Sequence, residues 1–126
     1  MGLIVDTTIF VAGERRGQSI RQIAEDIRRV HGNARSAVSA VTMVEMTHGI
    51  YRARTQAQKD SRRLFTDELY REFFVHPLSL EIAKLAGRIE GEQAAIGNSI
   101  AFPDLVIGAT ALYLGSYQPS TSAISR

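Results

Sequence analysis

The sequence predicts an α/β fold built on a parallel sheet. Three observations lead there. Short apolar or β-branched runs at residues 3–5, 36–41 and 73–76 each stop at a polar or turn-forming residue, as buried strands do. Segments with helical periodicity lie between them and after the last. Strands alternating with helices are the pattern of a parallel sheet, whose ligands gather beyond the carboxyl ends of its strands.

The first strand, Leu3-Ile4-Val5, ends at Asp6. Residues 8–11 read as a short helical turn, and Gly13-Glu14-Arg15-Arg16-Gly17 as a polar, glycine-bracketed loop. Ile20, Ile23, Ala24, Ile27 and Val30 then recur at helical spacing, with Arg21, Glu25, Arg28 and Arg29 opposite, up to a stop at Gly32-Asn33. Residues 36–41 suit a second strand, and Thr42 with Glu45 three positions on has the form of a capping box opening the next helix. A charged helix is expected over residues 56–69 with Leu64, Phe65 and Leu69 inward, followed by a third strand stopped at Pro77. Ser79 caps a helix whose inner face is Ile82, Leu85, Ala86 and Ile89, fading at Gly97. Pro103 belongs to the first turn of a last, mostly apolar and therefore buried helix closed by Gly115.

With 126 residues, 44% of them hydrophobic and 22% charged, the chain reads as one domain, residues 1–126, of ordinary soluble composition. No apolar run approaches the roughly 20 residues of a membrane span, and the start has neither the basic nor the apolar segment of a signal peptide. The expected location is therefore the cytoplasm, with no membrane partner. Cysteine is absent, which excludes disulfides and thiolate metal sites. A net charge of +2 is too small for a global field, so a polyanion would have to be met by local arginines.

Each notable acid has a structural reading. Asp6 can cap the turn after its strand, Glu45 can close the box with Thr42, and Asp104 can complement a helix dipole. Taken together they stand at strand ends and helix starts in three separate units, all of which face one rim of a parallel sheet. Converging carboxylates resist joint ionisation unless a cation neutralises them, and an oxygen donor set suits magnesium or manganese. The chemistry expected is metal-assisted phosphodiester hydrolysis without a side-chain nucleophile. Arg15 and Arg16, and after them Arg52 and Arg54, are candidate phosphate contacts; solvated charge is the blander reading of each. His48, three residues after Glu45, is a lesser candidate ligand.

The segments "IVDTTIF", "SAVTMVEMTHGI" and "FPDLVIGATALYLG", in this order and spacing, resemble the PIN-domain ribonucleases, specifically the VapC-type toxins of bacterial toxin–antitoxin pairs. The resemblance covers roughly residues 1 to 115. It implies a PIN-like α/β/α fold, with Asp6, Glu45 and Asp104 as catalytic metal ligands for Mg2+ or Mn2+, and Thr8 as a polar group steadying the first acid. It also implies an RNA substrate, a cognate VapB-type antitoxin and a homodimer. The tail, residues 116–126, departs from the family: "SYQPSTSAISR" puts Ser120 and Ser122 where a Thr and an Asn or Asp are normal, leaving Ser122 to stand in through its hydroxyl. Pro119 speaks against a central strand there, and the segment reads as a truncated or frame-shifted end. The alternative function is an impaired PIN-like module that binds an antitoxin or other protein without cutting RNA. Receiver domains and haloacid-dehalogenase-like phosphatases are disfavoured, because Asp6 is followed by Thr7 and Thr8 and not by a second acid.

Overall fold

The computed structural model describes residues 2–33 and 35–115. Its elements run β1 (Leu3–Ile4), α1 (Thr7–Arg15), α2 (Ile20–His31), β2 (Ser36–Ser39), α3 (Ala40–Arg52), α4 (Gln56–Glu72), β3 (Phe74–His76), α5 (Leu80–Ala95) and α6 (Phe102–Leu114). The strands form a parallel sheet in the order β1-β2-β3, with Leu3 beside Ser36, Ala37 beside Phe74 and Val38 beside Val75. Both faces are covered. Leu3, Val5 and Val38 pack with Phe10, Ile20, Ile27 and Leu69 from α1, α2 and α4. On the opposite face Ile4 packs with Val106 and Ile107 of α6, and α6 in turn packs through Leu105 and Ala109 on Ile82 and Ala86 of α5. Alternate residues of β1 thus enter different layers, as the two-residue period of a strand requires. Phe10 and Phe73 meet edge to face at 5.2 Å between ring centroids, tying α1 to the segment that enters β3.

Several boundaries differ from expectation for reasons that lie in packing. Gly13 is not a loop residue: α1 continues to Arg15, and a Cβ at Gly13 would collide with the Ile23 side chain of α2. The glycine lets two helices approach, while the turn itself is made by Gly17 at φ 78°. The expected Thr42–Glu45 capping box does not form. Ser39 caps α3 instead, accepting from the Val41 amide, so β2 ends two residues earlier than expected. Leu64 points outward at 65% exposure, leaving Phe65, Thr66 and Leu69 as the buried stripe of α4. Tyr51 and Phe74 are exposed as well. The Ser79 cap, the early Pro103 and the left-handed Gly115 at the end of α6 are as read from sequence. Residues 119, 120 and 122, on which the reading of the tail rests, lie outside the described residues.

Candidate functional site

Parallel pairing brings the carboxyl ends of β1 and β2 to one rim. Val5 donates to the Ala37 carbonyl at 2.9 Å, and the chain then leaves the sheet at Asp6 while β2 turns directly into α3. Asp6 accepts from the Thr8 amide at 3.0 Å through Oδ1 and so caps α1. That bond engages one carboxylate oxygen and leaves the other for a further partner. Glu45 projects from the second turn of α3 and Asp104 from the first turn of α6.

Asp6, Glu45 and Asp104 line one cavity of about 250 Å3, with Thr8 and Arg15 on its wall. Glu45 is the informative member. It takes no part in capping, and its Oε1 is buried with no hydrogen-bond partner. An ionised carboxylate oxygen left so is costly unless a cation or donor meets it. The oxygen-only acidic set suits a hard divalent cation, so the residues fit the metal that the resemblance implies. Among the described residues, however, no three His, Cys, Asp or Glu side chains stand close enough together to form a ready-made cage. The carboxylates share a cavity without closing on one point.

A buried bond invisible to sequence patterns ties this rim together. The hydroxyls of Thr7 and Thr42 lie 2.8 Å apart, joining the residue after Asp6 to the residue one helical turn before Glu45. Both threonines are buried, Thr42 completely. The hydroxyl read as a helix cap is therefore the lock between the starts of α1 and α3.

The expected phosphate contacts separate. Arg15 lines the acidic cavity, whereas Arg16 is turned away and donates to Gln18 Oε1 at 2.9 Å. Arg52 lines an adjoining cavity of about 390 Å3 that shares Val11, Arg15 and Glu45 with the first. His48 is exposed and lines neither, and Arg54 also stands apart from both. The adjoining cavity adds residues that the sequence did not single out: Glu14, Arg62 and Thr66. Burial pushes the Glu14 carboxyl above the usual range, and the Arg62 guanidinium pulls it partly back. Arg62 Nη1 also donates to the Gly49 carbonyl at 2.6 Å, near the end of α3, where Ala53 N–H turns to Ile50 and leaves that carbonyl open. An i, i+4 pair on α4 signals one face, yet only the docking of α4 on α3 reveals what that face meets.

The fold agrees with the comparisons to known proteins. The family model of the PIN domain matches residues 3–117, and the chain belongs to the PIN domain family, whose members are generally nucleases. The fold is shared with VapBC2 from Rickettsia felis bound to a DNA fragment from its promoter (TM-score 0.79, 17% identity, covering 94% of this chain and 86% of that one). It is shared equally with VapBC-1 from nontypeable Haemophilus influenzae (0.78, 20% identity, 99% and 93%). FitAcB from Neisseria gonorrhoeae is a further match (0.74, 17% identity, 98% and 93%). Among curated proteins, none matches the sequence significantly. No helix among the described residues is long and apolar enough to cross a membrane.

Proposed function

We propose that this chain acts as one PIN domain, a Mg2+- or Mn2+-dependent endoribonuclease and the VapC-type toxin of a type II toxin–antitoxin pair in the cytoplasm. The observation that carries the reading is Glu45: its buried, unpartnered Oε1 borders a cavity that also takes in Asp6 and Asp104. When bound, the cation supplies charge neutralisation for the phosphate and lets water ionise near neutral pH. The chain's own residues do the rest. Asp6, held by the Thr8 amide, and Glu45, on a helix start locked by the Thr7–Thr42 bond, are fixed donors, and exposed Asp104 completes the set from α6. Among the described residues, Arg15 offers the one guanidinium on that cavity wall to a phosphate oxygen. Water is the proposed nucleophile, as metal-assisted hydrolysis requires no side-chain nucleophile. The VapBC and FitAcB likenesses support a VapB-type antitoxin as partner, and a homodimer is proposed with it.

One observation favours a second reading. The carboxylates do not close into a cage among the described residues, which suits a PIN-like module that holds a protein partner without cutting RNA. Incubating the purified protein with a mixed single-stranded and structured RNA pool, with magnesium, with chelator, and as Asp6→Asn, separates the two. Metal-dependent cutting that disappears in Asp6→Asn is expected. No cutting by folded protein would favour the binding module.

A further inference from the structure

The 390 Å3 cavity beside the acidic one is large enough for a small-molecule or nucleotide group, within the roughly 300–1,000 Å3 usual for ligand pockets. Its charge is of the opposite character. Arg15, Arg52 and Arg62 line it together with Glu14 and Glu45, whereas among the described residues the acidic cavity sets Arg15 alone against Asp6, Glu45 and Asp104. Glu45, Gly49 and Arg52 lie on one face of α3, so Arg52 stands about 10 Å along the helix from the acid. Thr66 is the second, independent mark of a ligand. It is only 3% exposed, it lines this cavity, and its hydroxyl has no hydrogen-bond partner. Arg62 is held in place by the Gly49 carbonyl, which fixes part of the basic wall before any ligand arrives.

We propose that this cavity is a subsite for the polynucleotide backbone, binding a phosphate next to the scissile linkage through Arg52, Arg62 and the Thr66 hydroxyl. The proposal rests on the nuclease reading and extends it to a direction for the strand: from the acidic rim along α3 toward its carboxyl end. Glu14 competes with the phosphate for Arg62 when charged, and burial raises the pH at which it becomes so.

The test uses a fluorescein-labelled mixed-sequence ten-nucleotide RNA, with anisotropy read in chelator so that no cutting occurs. Arg62 supports the end of α3, so the variants are Arg52→Gln and Thr66→Val. The latter removes an unsatisfied hydroxyl at constant shape and keeps the fold intact. Each is expected to weaken binding about 3- to 10-fold, and Arg52→Gln to lower the salt slope by about one unit. In cleavage assays KM should rise with kcat little changed, the mark of binding shared by ground and transition states. Cutting by the parent with unchanged affinity in both variants would overturn the subsite and leave the nuclease standing. Variant-sensitive binding without cutting by the parent would keep a phosphate site in this cavity but refute the nuclease reading, and with it the place beside a scissile linkage. Variants that bind RNA normally but no longer bind the antitoxin would assign the cavity to a protein partner and refute the proposal.

Discussion

Replacing Thr42 by valine removes a hydroxyl at nearly constant volume from a site with no solvent access. Thr7, a residue only 6% exposed, then loses the partner of its hydroxyl at 2.8 Å. An orphaned buried hydroxyl costs about 1–3 kcal/mol, beyond the small net value of the bond itself. Thr42→Val should therefore be less stable by about 2 kcal/mol, and Thr7→Val by a similar amount. The double replacement leaves two methyl groups in contact and no orphan, so it should recover most of the loss. Urea unfolding reads this directly. At a slope of about 2 kcal/mol/M, each single variant shifts the midpoint down by about 1 M and the double by much less. The bond also sets Asp6 against Glu45, so RNA cleavage should fall in the single variants even where folding is complete. Additive losses, with the double variant the least stable of the three, would refute the idea that the two hydroxyls satisfy each other.

Two further predictions concern the elements around the site. Gly13→Ala introduces a Cβ into the Ile23 side chain and should lower stability by about 1–3 kcal/mol, measured by thermal or urea unfolding; Ile23→Val in the same background should relieve part of it. Glu14 titrates in the folded protein above its ordinary value of 4.5, chiefly through burial. The native state therefore holds a proton that the unfolded state releases, so the contribution of Glu14 is present below pH 4.5 and is lost as pH rises through the folded value. Glu14→Gln should accordingly gain stability over the parent at pH 7 relative to pH 4, and an equal difference at both would count against the desolvation argument.

The parallel α/β fold and the placing of Asp6, Glu45 and Asp104 along one cavity were legible in the sequence because both follow from local patterns. Apolar runs that stop at an acid, and helix starts that face the same rim, carry their geometry with them. What was not legible depends on distant partners. Ser39 and Thr42 are both hydroxyl residues at the strand-to-helix junction, and local spacing favours Thr42 as the cap because Glu45 follows at the box position. The choice is settled by Thr7, 35 residues away, which takes the Thr42 hydroxyl. Gly13 looks like a loop breaker until Ile23 is packed against it. Leu64 reads as core by hydropathy, but the stripe that meets the sheet passes through Phe65 and Leu69, one position away. Arg62 and Thr66 were missed for the same reason: their importance lies in the α3–α4 contact, and a charged helix face looks solvated when read alone.

The central claim is that Asp6, Glu45 and Asp104 share a divalent cation. Titration of Mn2+ into the purified protein, followed through the free-ion electron paramagnetic resonance signal, tests it without any RNA. The parent should deplete the signal at about one site per chain, and Glu45→Gln, which keeps the shape and removes the carboxyl group, should leave it at the level of a protein-free control. Equal depletion by parent and Glu45→Gln, or none by either, would contradict the account.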